Sequence, residues 1–116
     1  MGKYNCVYYT TATGRPPVED FIESLDEGSQ DAFFYKIELL KEYGPQLRRP
    51  HTDSIGEGIF ELRFTGKEGR IRILFFFFEE NHIIFTNGFI KKTPKTPLKQ
   101  IRLARQRKKE YFGRRK

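Results

Sequence analysis

Apolar and polar side chains alternate along residues 59–91 in the pattern of a three-stranded antiparallel meander. The predicted strands are residues 59–65, 70–78 and 82–91, joined by turns at 66–69 and 79–81. Because successive side chains of a strand point to opposite faces, this register places Arg63 directly opposite Arg72.

One face of this predicted meander is apolar along its whole length, so it must be the core. It holds Phe60, Leu62, Phe64, Ile71, Ile73, Phe75, Phe77, Ile84 and Ile90. The basic end of the other face holds Glu61, Arg63, Arg70, Arg72, Asn87 and Lys91. Its apolar end holds Leu74, Phe76, Phe78, Ile83 and Phe85. A strand that is apolar on both sides is a central strand. We therefore expect half of the second face to be covered and half to lie open as a basic cleft.

Two like charges that face each other on neighbouring strands destabilise a sheet. A fold with no use for Arg63 and Arg72 would more often place a carboxylate opposite one of them. The pair therefore indicates a site for a polyanion, and nucleic acid is the commonest one.

The N-terminal half predicts a strand followed by a helical hairpin. Residues 4–10 are rich in β-branched and aromatic side chains, as expected of a strand. The first helix begins near Pro17 and buries Val18, Phe21, Ile22 and Leu25. The second follows a short link at 26–28, is capped by Ser29, buries Phe33, Ile37 and Leu40, and ends at Gly44. A polar loop is predicted at 46–57.

A linker at residues 93–97 leads into a last helix, with Thr96 as its cap and Pro97 in its first turn. The apolar side of this helix holds Leu98, Ile101, Ala104 and Tyr111. Its other side holds Lys99, Arg102, Arg105 and Lys109.

These elements predict an α+β fold, in which a mostly antiparallel sheet of about four strands packs on the N-terminal helical hairpin and a C-terminal helix follows. With 116 residues, the chain is expected to form a single domain, 1–116. The first strand could pair with an edge of the meander or beside its central strand, and the pattern leaves both open.

The net charge of +7 is concentrated at the C-terminus. Residues 91–116 carry 12 basic side chains and one acidic one, whereas residues 1–57 carry 6 basic and 10 acidic ones. Such asymmetry is typical of proteins that bind nucleic acid or an acidic partner.

Other classes of site find little support in the sequence. The single cysteine, Cys6, excludes an internal disulfide and fits a reducing compartment such as the cytosol. No apolar run is long enough to span a membrane. The two histidines lack the spacing of metal ligands, and no glycine-rich nucleotide motif occurs. We therefore expect no metal and no cofactor.

The basic face could nevertheless carry out chemistry. Arginine pairs two phosphate oxygens at once, and several cations around one phosphate stabilise the charge that builds up when it is attacked. RNA supplies its own nucleophile, the 2′-hydroxyl, and a lysine whose pKa is lowered by nearby cations can exchange a proton. The same residues are also compatible with a domain that binds RNA or DNA without any chemistry, and this interpretation stays open.

Several segments together resemble one toxin family. They are IFELR at 59–63, RIRIL at 70–74, GFIKKTPKTP at 88–97, GRPPVEDF at 14–21 and YGP at 43–45. Their order and spacing are similar to those of HigB-type toxins, also called phage-derived Gp49-like proteins, in the RelE/ParE toxin superfamily. The match extends over nearly the whole chain.

The resemblance implies a sheet packed on two N-terminal helices, with a C-terminal helix after the last strand. It implies an endoribonuclease that cuts messenger RNA on the ribosome without a metal. It also implies a helix-turn-helix antitoxin encoded alongside, which inhibits the toxin and forms with it a heterotetramer that binds operator DNA.

The family's catalytic positions correspond to Arg63, Arg72, Lys91 and Lys92. Further RNA contacts are expected from Arg70, Lys95, Lys99, Arg102, Arg105 and Lys109. Many relatives carry histidine where this chain has Asn87, which cannot exchange a proton at neutral pH. The ParE branch shares the fold but targets gyrase and lacks the RNA-cleaving residues, so a gyrase inhibitor is the alternative within the superfamily.

Overall fold

Five strands form one mixed sheet, flanked by three α-helices, in a computed structural model that describes residues 2–114. In chain order the elements are β1 (Asn5–Tyr8), α1 (Pro17–Glu23), α2 (Glu27–Tyr43), a 3-10 turn (Gly44–Gln46), β2 (Thr52–Gly56), β3 (Ile59–Gly66), β4 (Gly69–Phe78), β5 (His82–Lys91) and α3 (Leu98–Arg114). Over the described residues, none of the helices combines the length and apolar character needed to cross a bilayer. The predicted α+β class is confirmed.

The strand order is β1-β5-β4-β3-β2, with β1 parallel to β5 and the other neighbours antiparallel. The first strand thus takes the outer edge of the meander, beside β5. The prediction of about four strands was short by one, because β2 lies within the segment predicted to be a polar loop. This strand has a single neighbour and its sequence is TDSIG, so it lacks the alternating apolar residues that reveal a half-buried strand.

The predicted register of the basic end of the meander is confirmed. The pairs there are Arg63 with Arg72, Arg70 with Lys91, Arg72 with Phe89, and Leu74 with Asn87. Three neighbouring strands therefore present basic side chains at the same end of the sheet.

A β-bulge at Thr86 interrupts this register. Leu74 pairs with Asn87, but the next residue, Phe75, pairs with Phe85, so Thr86 has no residue opposite it. An extra residue moves every side chain beyond it to the opposite face. The predicted facing of β5 before Thr86 was therefore wrong: Ile83 and Phe85 pack with α1 and α2, and Ile84 packs with α3.

β4 is buried on both faces and separates two apolar cores. The larger core lies between the sheet and helices α1 and α2, and its members include Val18, Ile22, Phe33, Leu40, Leu62, Ile73, Phe75 and Phe85. The smaller core lies under α3 and contains Tyr9, Ile59, Leu74, Phe76, Ile84, Phe89, Ala104 and Tyr111. The expectation that part of the second face is covered is confirmed.

The start of α2 differs from the prediction. Asp26 is its cap, and the Oδ2 atom of Asp26 accepts a hydrogen bond from the backbone N–H of Gly28 at 3.0 Å. Ser29 lies inside the helix, buried, and its hydroxyl donates to Glu68 in the β3–β4 turn at 2.5 Å. The end of α2 is as predicted, because Gly44 takes the positive φ of 52° that glycine accommodates best.

The start of α3 also differs. The helix begins at Leu98, and the carbonyl of Pro97 accepts from the backbone N–H groups of Gln100 and Ile101. Thr96 does not cap the helix, because Pro97 and not Thr96 directly precedes its first residue; the Thr96 hydroxyl donates to Glu61. Leu98 is 64% exposed and takes no part in docking, which rests on Ala104 and Tyr111 further along.

Replacing Gly88 in β5 with alanine is expected to destabilise the fold by about 1–3 kcal/mol, since an added Cβ overpacks the core. That atom would lie 2.5 Å from a ring carbon of Phe21 and 2.7 Å from the Cδ1 atom of Ile73. The control is Gly113→Ala in α3, where the added atom meets nothing within 4 Å and helix propensity gains up to about 1 kcal/mol. Urea unfolding of both variants measures the difference, and equal midpoints would contradict the close packing of α1 on β5.

Candidate functional site

A single buried carboxylate lies between the two facing arginines. Glu61 is 2% exposed, and its Oε2 atom is 3.8 Å from Nη1 of Arg63 and 3.9 Å from Nε of Arg72. Both guanidinium groups therefore lie near one carboxylate on the same face of the sheet. Removing one partner of such a buried group leaves an uncompensated charge, which is strongly destabilising.

Arg72 is the most enclosed cation of the group. Its side chain is 5% exposed, and its Nη1 atom donates to the carbonyl of Ile71 at 3.0 Å. Its buried Nε has no hydrogen-bond partner, because the 3.9 Å to Glu61 is too long for one. Burial and then repulsion from Arg63 lower the pKa of Arg72, whereas Glu61 opposes the shift. The guanidinium thus concentrates positive charge in a poorly solvated place.

Arg63 is more accessible, with 27% of its side chain exposed, and it has a second acidic neighbour. Asp53 of β2 places Oδ2 at 3.6 Å from Nη1 of Arg63 and accepts from Arg49 at 2.6 Å. The hydrogen bond from Arg49 is the main cause that lowers the pKa of Asp53. The sequence pattern did not reveal Asp53 because β2 was assigned to a loop.

Within residues 2–114, no group of three or more histidine, cysteine or acidic side chains is placed to share a metal ion.

Lys91 ends β5 opposite Arg70 and has an unusual environment for a lysine. Burial lowers its pKa below the 10.5 of an unperturbed lysine, and the positive charges of Arg72, Arg63 and Arg70 lower it further, against the opposing effect of Glu61. A lysine in this situation can exchange a proton nearer to neutral pH. Lys92, the next residue, is exposed just after the strand and does not line the cleft beside Lys91.

Two depressions meet at Arg63. The first, which we name the linker cleft, has a volume of about 420 Å³, and its charged lining residues are Arg49, Asp53, Glu61, Arg63, Lys91 and Lys95. The second, which we name the α2 pocket, has a volume of about 360 Å³, and its charged lining residues are Lys36, Arg63, Arg70 and Arg72. The structure therefore divides the predicted site: Lys91 and Lys95 line the linker cleft, Arg70 and Arg72 line the α2 pocket, and Arg63 belongs to both.

Hydrogen bonds attach the linker and the first turn of α3 to the sheet. The hydroxyl of Thr96 donates to Oε1 of Glu61 at 2.8 Å, which joins the linker to the arginine pair. The Nδ2 atom of Asn87, which is 4% exposed, donates to Oε1 of Gln100 at 2.9 Å and to the carbonyl of Gln100 at 3.2 Å. Asn87 therefore holds the first turn of α3 against β5.

The basic side chains of α3 fall into two groups. Lys99, Arg102 and Lys109 are exposed to solvent. The others contact the body of the protein: Arg105 pairs with the Glu57 carboxylate, Lys108 donates to the Glu57 carbonyl, Arg107 donates to the Thr86 carbonyl, and Arg114 donates to the Thr10 carbonyl. The helix is thus positioned partly by its own cations, and Arg105 is engaged in a way that its place on the predicted basic side did not reveal.

Residues 20–109 match the model of the phage-derived Gp49-like protein family. The chain belongs to this family. The matched segment contains the arginine pair, Glu61, Lys91 and most of α3, so the family resemblance seen in the sequence is confirmed at this level. None of the curated proteins compared with this Gp49-like chain matches it significantly.

The Glu61→Gln substitution is expected to lower the pKa of Lys91 further. The carboxylate of Glu61 is the neighbour that raises this pKa, so its loss leaves burial and the three arginines unopposed. NMR titration of lysine side-chain nitrogens measures the change, with circular dichroism to verify folding. Glu57→Gln, which removes the carboxylate paired with Arg105 between β2 and β3, is the control and should leave Lys91 unaffected. An unchanged or higher Lys91 pKa in Glu61→Gln would contradict this geometry.

Proposed function

We propose that this chain is the toxin of a type II toxin–antitoxin pair and a metal-independent endoribonuclease that cleaves messenger RNA on the ribosome, in the cytoplasm. The observation that supports this most directly is the convergence of Arg63, Arg72 and Lys91 from three neighbouring strands around the buried Glu61. Membership of the Gp49-like family, which often supplies toxins of such pairs, also favours it.

In the proposed reaction the 2′-hydroxyl of RNA attacks the adjacent phosphorus. A proton leaves that hydroxyl, a 2′,3′-cyclic phosphate forms, and the bond to the 5′-oxygen breaks as that oxygen takes up a proton. Arg63 contacts the phosphate oxygens and stabilises the negative charge that builds up on them, and the buried Arg72 opposite it adds to the positive potential there. Arg63 is the arginine that the phosphate meets first, because it is the more exposed of the two.

Lys91 is the proposed proton carrier, because its pKa is lowered and it lines the linker cleft together with Arg63. Asn87 does not take this role, since its amide holds α3 and exchanges no proton. Lys92, exposed beside Lys91, adds positive charge for the transition state. Glu61 is a positioning residue that fixes both arginines and, through Thr96, the linker.

The proposed partners follow from the same surface. A ribosome and its messenger RNA supply the phosphates, with Lys95 and the exposed Lys99, Arg102 and Lys109 as further contacts. A helix-turn-helix antitoxin would inhibit by covering the basic cleft, and the toxin–antitoxin heterotetramer would bind operator DNA. A short helix-turn-helix reading frame beside the gene would support this pairing.

Induced expression in bacteria is expected to arrest growth and cut transcripts, and Arg63→Ala or Arg72→Ala should relieve both effects. Losing one preorganised cation at a developing oxyanion typically reduces the rate by about 10²–10³-fold. The readouts are growth and the lengths of messenger RNAs after induction. Circular dichroism of the purified arginine variants verifies that they are folded, since each loses a partner of the buried Glu61. Arg15→Ala, which removes the same charge from the exposed β1–α1 loop, is the matched control and should remain toxic.

Intact transcripts combined with growth arrest that persists in both arginine variants would contradict the nuclease proposal and favour a gyrase inhibitor. A non-catalytic nucleic-acid-binding module is the second candidate, and the engagement of Asn87 in a structural contact favours it. That module would cause no toxicity and would bind naked RNA or DNA with an affinity that falls steeply as salt rises.

Replacing Lys99, Arg102 and Lys109 with glutamine is expected to weaken ribosome association and flatten its salt dependence while the fold stays intact. Each of these side chains is exposed, so its loss costs little stability, and each lost phosphate contact reduces the salt slope. Co-sedimentation with ribosomes over a range of salt measures both effects. The control replaces Lys3, Arg15 and Lys67, exposed cations outside α3. Equal binding by the two variants would show that α3 makes no specific contribution.

A further inference from the structure

The α2 pocket contains four cations and no carboxylate among its lining residues. Lys36 comes from α2, whereas Arg63, Arg70 and Arg72 come from the sheet. A concave surface with charges of one sign focuses the electrostatic potential and attracts the opposite charge. Glu61 and Asp53 partly neutralise Arg63 and Arg72, but both acids line the linker cleft and not the α2 pocket. Lys36 and Arg70 add two further cations on the α2 side, so the α2 pocket carries the larger excess of positive charge.

Lys36 is held in place by a histidine and not by an acid. Its Nζ lies 2.7 Å from Nδ1 of His51. Burial, followed by the positive charge of Lys36, lowers the pKa of His51, which favours the neutral ring. Because an ammonium group only donates, Nδ1 of His51 accepts the hydrogen bond from Lys36. An ammonium group has three donors, so Lys36 retains hydrogen-bonding capacity for a ligand.

Tyr35 lines the same pocket and is 61% exposed. Unpaired nucleobases stack on exposed aromatic rings beside cations, which makes this combination typical of single-strand binding sites. The neighbouring residues on α2 show the contrast: Phe34 is also half exposed, but it lies about 200° around the helix from Lys36 and does not line the pocket.

We propose that the α2 pocket binds one nucleotide of single-stranded RNA, with its phosphate on Lys36, Arg63 and Arg70 and its base stacked on Tyr35. The inference rests on the proposed function, because the RNA bound in the α2 pocket is the substrate itself. The next phosphate of the same RNA strand occupies the linker cleft. Arg63 lines both depressions, so it contacts the two successive phosphates. The pocket thus fixes the register of the strand relative to Lys91.

An acidic peptide is the other polyanion that such a pocket could attract. RNA fits better, because the guanidinium fork pairs two oxygens of one phosphate and the exposed ring of Tyr35 offers a base a stacking surface. A run of carboxylates would use the cations but not the ring. The contribution of Tyr35 therefore discriminates between the two ligands.

The test measures fluorescence anisotropy with a labelled RNA hexanucleotide in which every 2′-hydroxyl is methylated, so that it binds but is not cleaved. Tyr35→Ala combined with Lys36→Gln is expected to weaken binding by about tenfold or more, the effect of losing one stacked base and one phosphate contact. The slope of log affinity against log salt should fall by about 0.7. Phe34→Ala with Lys41→Gln, on the other flank of α2, is the matched control and should bind like the unmodified protein.

Thermal unfolding verifies that both double variants are folded, and Tyr35→Phe provides an independent measurement because it keeps the ring and should keep the affinity. Equal affinities of the two double variants, or tighter binding of a labelled decaglutamate peptide than of the RNA, would overturn the proposal. The outcome is separate from the nuclease proposal. RNA binding that depends on the α2 pocket, without transcript cleavage, would contradict only the nuclease proposal. Transcript cleavage without pocket-dependent binding would contradict only the proposal for the α2 pocket.

Discussion

The buried carboxylate of Glu61 is the constraint on which the basic end of the sheet depends. Arg63 and Arg72 face each other across β3 and β4, an arrangement that repulsion alone would disfavour. Glu61 lies within 4 Å of both guanidinium groups, so the sheet tolerates the pair. The same carboxylate accepts from Thr96 and thereby also anchors the linker that leads to α3. Glu61 is thus the counter-ion of both arginines and the hydrogen-bond acceptor that holds the linker.

The position of α3 determines which cations remain available. The bulge at Thr86 turns Ile84 towards α3, and hydrogen bonds from Asn87 to Gln100 and from Arg107 to Thr86 fasten the helix to β5. Arg105 and Lys108 are directed to Glu57. Basic side chains of the sheet, of α2 and of the linker line the two depressions that meet at Arg63, and this division suggests separate roles in chemistry and in holding the strand.

Sequence pattern predicted much of the fold and the centre of the candidate site. Period-two alternation is a strong signal where one face is buried, so the meander and the opposition of Arg63 to Arg72 follow from the alternation alone. β2 could not be predicted, because a short polar edge strand lacks that signal. The bulge could not either, since one unpaired residue leaves no distinctive composition, and it reversed the facing of Ile83, Ile84 and Phe85.

By itself, the sequence determined the order and type of the main elements, the register of the basic strands and the family, because these depend on local periodicity and short motifs. Only the tertiary structure decided which charges neutralise one another. Asp53 lies beside Arg63 because β2, which was not predicted, pairs with β3. Lys36 of α2 lines the same pocket as the arginines of the sheet. Burial and proximity set the pKa of Lys91, and both are properties of contacts between residues that are distant in the chain.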